Sequence, residues 1–60
     1  MSWQKTQTDH RLFQGINMVA RVYWIGNLYA VDAFPVGKYQ QTTTEVSLEK
    51  AKAWAEGQVL

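Results

Sequence analysis

The 60 residues include no cysteine, three Trp, three Tyr and two Phe, and the net charge is +1 with histidine neutral. That excludes disulfides and thiolate metal sites, and it is far from the basic excess of a domain held chiefly by phosphates. No apolar run approaches bilayer length, and the opening Met-Ser-Trp-Gln-Lys-Thr-Gln lacks a signal-peptide core, so one small cytoplasmic domain spanning 1–60 is expected. Large aromatic side chains are how so short a chain gathers buried area, and any surplus marks a binding surface.

Residues 1–14 are polar. They read either as a loose arm whose Leu12 and Phe13 tuck against a sheet, or as a short helical turn. In the second reading Thr8 or Asp9 caps His10–Phe13 and Gly15 ends the turn. Gly15-Ile16-Asn17 then reads as a turn into the first strand.

Two runs rich in β-branched and aromatic residues flank Gly26-Asn27, within 18–34, and this is a hairpin signal. A two-residue turn fixes the register. Trp24 stands opposite Tyr29, Tyr23 opposite Ala30, Val22 opposite Val31, Arg21 opposite Asp32, and Ala20 opposite Ala33. One face then carries Ala20, Val22, Trp24, Tyr29, Val31 and Ala33. The other carries Val19, Arg21, Tyr23, Ile25, Leu28, Asp32 and Phe34, with an opposite-charge pair among apolar groups.

Pro35 ends the second strand, and Pro35-Val36-Gly37-Lys38 is a tight connection. Tyr39–Val46 is threonine-rich and suits a solvent-facing third strand. Ser47 caps a helix over Leu48–Glu56, with Glu49 complementing its dipole and Val46 available to staple onto Ala51. Leu48, Ala51, Ala55 and Val59 form one stripe, and Gly57 is a natural stop, placing the helical segment within 47–57. The expected fold class is α+β: a three-stranded antiparallel sheet, the hairpin plus a third strand over 18–46, packed against one C-terminal helix.

Catalysis is not expected. His10 is the lone histidine, without a second histidine or cysteine to share a metal. Ser2 and Ser47 are the only serines, and Ser47 is committed to its cap. The glycines at 15, 26, 37 and 57 are too scattered for a phosphate loop. No cofactor, metal or small-molecule substrate is expected. The second hairpin face is the sharper candidate: Tyr23, Ile25, Leu28 and Phe34 beside Arg21 and Asp32 have the composition of a protein-binding hot spot. One helix cannot cover both faces of a sheet. An arm, a second copy or a partner must meet the other.

Tyr29-Ala30-Val31 in a central strand, Gly37-Lys38-Tyr39 before the third, and Ser47-Leu48-Glu49-Lys50-Ala51 opening the helix carry a resemblance over about Val19 to Glu56. Together they resemble the arm-type DNA-binding domains of phage integrases and the plant AP2 domain. The resemblance implies insertion of the sheet into the major groove. Only Arg21 is basic on the hairpin here, so no base-contacting residue is carried over. In size, economy and aromatic content the chain is also similar to the very small accessory proteins that phages encode, many of which inhibit a host enzyme or defence complex. That likeness implies a stoichiometric binder acting in the host cytoplasm. The expected function is therefore a non-catalytic protein-binding module of the phage inhibitor type, with Tyr23, Ile25, Leu28 and Phe34 as apolar anchors and Arg21 and Asp32 setting register. Sheet-mediated DNA or RNA binding is the alternative, and a structural homodimer is third.

Overall fold

The Gly26-Asn27 hairpin forms in the expected register, from Trp24 opposite Tyr29 to Ala20 opposite Ala33. Its turn is closed by a hydrogen bond from the Ile25 amide to the Leu28 carbonyl, and Gly26 supplies a φ of 105° that a residue with a Cβ rarely adopts. Around it the structure, a computed structural model describing all 60 residues, builds a larger sheet than the sequence suggested. The sheet has five antiparallel strands, not three. They are β1 (Ser2–Lys5), β2 (Asp9–Gln14), β3 (Asn17–Trp24), β4 (Tyr29–Ala33) and β5 (Gln41–Glu45), and they lie side by side in chain order before one helix, α1 (Leu48–Val59). No helix is long and apolar enough to cross a membrane.

The correction falls at the N-terminal end. Residues expected as a polar arm or a helical turn at His10–Phe13 form β1 and β2 instead, paired to each other and through β2 to β3. Gly15-Ile16 is the two-residue loop of a second hairpin, with Gln14 opposite Asn17 and Gly15 at a φ of 61°. Leu12 lies fully buried in the core rather than tucking in from an arm.

A bulge in β3 adjusts the pattern further. Leu12 pairs with Ala20 but Phe13 with Met18, so Val19 is an extra residue in β3. At such a bulge two successive side chains turn to the same side. Val19 accordingly joins Ala20 in the core, instead of lying on the opposite face.

The core is a thin layer between sheet and helix: Leu12, Val19, Ala20, Val22, Val31 and Ala33 from the strands meet Ala51 and Ala55 from α1. Two alanines let the helix approach closely, and Trp3, Tyr29, Leu48, Trp54 and Val59 pack around that contact. Ser47 caps α1 as expected, its hydroxyl accepting from the Lys50 amide at 3.1 Å. Val46 stays exposed and does not fold over Ala51. The helix also runs past Gly57 to Val59, because packing of Val59 on the core outweighs the ~1 kcal/mol that a helical glycine costs. The strand expected over 39–46 is confined to Gln41–Glu45.

β1 is held from above as well as from its side. The Trp3 indole N–H donates to Glu56 Oε2 at 3.0 Å, and the Lys52 ammonium lies 5.3 Å from the Trp3 ring. Lys52 and Glu56 are one helical turn apart and grip the same ring. The helix thus ties down the edge strand farthest from its own connection.

Candidate functional site

α1 covers one face of the sheet, and no part of the chain covers the other. Cross-strand pairing places residues on that open face in rows, because paired residues share a side. Arg11 of β2, Arg21 of β3, Asp32 of β4 and Thr42 of β5 form one row; Asp9, Tyr23, Ala30 and Thr44 form the next. Like charges, Arg11 and Arg21, stand directly opposite each other. The aspartates offset them.

Asp9 is the centre of the arrangement, with only 7% of its surface exposed. Its Oδ1 accepts from the Thr6 hydroxyl at 2.7 Å and from Arg11 Nε at 3.0 Å. The hydrogen bond from Thr6, and then the guanidinium groups of Arg11 and Arg21, hold its carboxyl below the usual value, against the opposing effect of burial. Thr6 also organises the β1–β2 turn, since its hydroxyl oxygen accepts from the amides of Thr8 and Asp9. Thr6→Val removes all of these bonds while keeping the shape. It should destabilise the protein by about 1–3 kcal/mol, read from urea unfolding; an unchanged midpoint would show that the hydroxyl does not organise the turn.

Arg21 is held by charge rather than by hydrogen bonds. Its Nε is 3.9 Å from Asp9 Oδ2 and an Nη is 3.9 Å from Asp32 Oδ2, both beyond hydrogen-bond range. The Nε is buried without a partner. The guanidinium sits 4.3 Å over the Tyr23 ring, a cation–π contact that orients it.

Of the residues singled out from sequence, Arg21, Tyr23 and Asp32 therefore come together in the middle of the open face. Ile25 and Leu28 lie at the hairpin turn, Ile25 about half exposed. Phe34 follows β4 at the other end of the hairpin, its amide bonded to the Val19 carbonyl. Six residues of extended chain, about 20 Å, separate the two ends, so these apolar groups do not form one cluster. Asp9, Arg11 and Phe13 were missed because they reach this face only through β2 and its pairing with β3, and Met18 because the bulge at Val19 turns it to this side. The Gly15-Ile16 dipeptide was the signal that could have found them.

No cluster of three or more His, Asp or Glu side chains is placed to hold a metal. No match to this chain was found among protein-family models, curated proteins or solved structures.

Proposed function

We propose that the protein is a non-catalytic protein-binding module whose uncovered sheet face docks a protein partner. The observation that carries this reading is Arg21: a guanidinium stacked on Tyr23, flanked by two carboxylates at 3.9 Å, with a buried Nε that lacks a hydrogen-bond acceptor. The buried Nε is out of a partner's reach, but the side chain is 37% exposed and held in place, so it loses little freedom when a partner supplies a carboxylate or carbonyl to its Nη groups. Arg and Tyr are also the residues in which interface energy concentrates. Phe13, Met18 and Phe34 extend the surface at one end, and Ile25 and Leu28 at the other.

Charge on this face argues against phosphate-dominated binding, because Arg11 and Arg21 are matched by Asp9 and Asp32. The narrower version, a stoichiometric inhibitor of a host protein, draws on the likeness to small phage accessory proteins and is part of the same proposal.

The test is affinity capture from bacterial lysate with nuclease and high-salt washes, using wild type alongside Arg21→Ala and Tyr23→Ala. Wild type should retain one protein in stoichiometric amount. Each variant, its fold checked by circular dichroism, should weaken that retention by about thirtyfold or more, the scale of a hot-spot residue. Retention that both folded variants preserve would sink the assignment of this face. Material that vanishes with nuclease or salt would move the function to nucleic acid.

A further inference from the structure

On the helix side, α1 leaves one corner of the sheet open, between the β1–β2 turn and the tip of the β3–β4 hairpin. A depression of about 180 Å³ lies at this end of the sheet, lined by Lys5, His10, Trp24 and Tyr29 and, from the open face, by Asp9 and Tyr23. We propose that this corner binds a nucleotide, its base stacking on Trp24 and its phosphate held by Lys5 and His10, with Lys52 adding positive charge from the helix.

Three observations converge on that chemistry. Trp24 is 54% exposed although it lies on the core side of the sheet, and Tyr29 fixes its ring edge-on at a centroid distance of 4.9 Å. An oriented, solvent-facing indole is a stacking platform for a planar heterocycle. Lys5 and His10 are direct cross-strand partners, and Lys52 reaches over from the helix to the neighbouring Trp3. None of the three is in a salt bridge. Burial first, and then the charges of Lys52 and Lys5, hold His10 below its usual pKa, with Asp9 acting the other way.

Asp9 offsets part of the positive charge of the lysines, and the nearby carboxylates are otherwise committed elsewhere. Asp9 turns its carboxylate to Thr6 and Arg11, and Glu56 is bonded to Trp3. Glu45 lies across from Tyr29, on the side away from the lysines. The depression is smaller than the ~300 Å³ of the smallest drug-sized pockets. It therefore grips one ring and one phosphate and leaves the rest of the ligand in solvent. Both a free nucleotide and the end of a single-stranded nucleic acid present that chemistry.

The test is an NMR titration of the isotope-labelled full chain with AMP, inorganic phosphate and an oligothymidylate. AMP should shift the His10 and Trp24 indole signals along a saturable curve, about tenfold tighter than phosphate alone, because stacking adds to the charge term. Trp24→Ala and Lys5→Glu should each weaken AMP by about tenfold or more, while Lys38→Glu, in the exposed β4–β5 connection, leaves it unchanged. Comparable affinity for AMP and the oligomer identifies the free nucleotide. A much tighter, strongly salt-dependent oligomer identifies a strand end. No saturable shift at millimolar AMP or oligomer, or equal affinity in wild type and a folded Lys5→Glu, overturns the proposal. Lys5 is an exposed strand-end residue, so that variant decides the matter even where Trp24→Ala unfolds.

Discussion

Replacing Leu12 by alanine should unfold the protein. Leu12 is fully buried at the junction of β1, β2 and the helix, paired with Trp3 on one side and Ala20 on the other. Truncating a buried leucine costs about 2–5 kcal/mol, depending on how far the site collapses. A single core of this size supplies only about 3–5 kcal/mol in total. The surrounding residues have little capacity to collapse: Ala20, Ala33, Ala51 and Ala55 are already small, and Val19 is fixed by the bulge. The cavity would therefore persist. Far-ultraviolet circular dichroism with urea titration at 25 °C reads the outcome. The result distinguishes two architectures, because a three-stranded sheet with a peripheral arm would tolerate Leu12→Ala at a small shift in midpoint. A variant that unfolds near the wild-type midpoint would remove β2 from the core.

What the sequence revealed and what it hid have the same physical origin. The β3–β4 hairpin was legible because both strands carry apolar groups at alternate positions around a glycine-led turn, and any register slip would expose them. The Ser47 cap and the Leu48–Ala51–Ala55–Val59 stripe were legible because they are local. β1 and β2 were not, since each contributes one main apolar residue to the helix side, Trp3 and Leu12. A strand with one buried side chain has no period to detect. Its backbone pairing and the grip of Lys52 and Glu56 on Trp3 hold it in place, and both are long-range. Even so, Gly15-Ile16 repeats the form of Gly26-Asn27, a glycine followed by a residue that tolerates the second turn position.

The candidate site divides along the same line. Arg21, Tyr23 and Asp32 could be placed from the hairpin register alone. Asp9 and Arg11, which surround Arg21 and set its charge environment, depend on β2 lying beside β3. Ile25, Leu28 and Phe34 share a face by alternation, yet alternation says nothing about distance along the strand. The outcome is an interface centred on a charged, aromatic-backed arginine, with apolar groups at its two ends rather than at its heart.

Lowering the pH should destabilise the protein in two steps, and the sign is the same for both. His10 is held below its ordinary value of 6.5, so the unfolded chain takes up that proton first. Stability is complete above about pH 6.5 and declines as the pH falls from there to the lower folded value, then levels off. Asp9 is held below its ordinary 3.8 by Thr6, Arg11 and Arg21, so the stability that its ionised form contributes is complete above that value. It is lost as the pH falls through the folded value. Protonation there removes the anion between two arginines and weakens the charge-assisted hydrogen bond from the Thr6 hydroxyl, loosening the β1–β2 turn. Melting temperatures from pH 8 down to pH 2 should show a plateau, a shallow fall beginning near neutrality, and a steeper one in strong acid. His10→Gln should flatten the first fall and leave the second. Asp9→Asn should lower the plateau and flatten the second, because the cost of losing the carboxylate is then present at every pH. A melting temperature that rises between pH 7 and pH 5 would contradict the placement of His10 beside Lys5 and Lys52. An Asp9→Asn variant that keeps the full acid transition would mean other carboxylates carry it, leaving Asp9 a bystander on the open face.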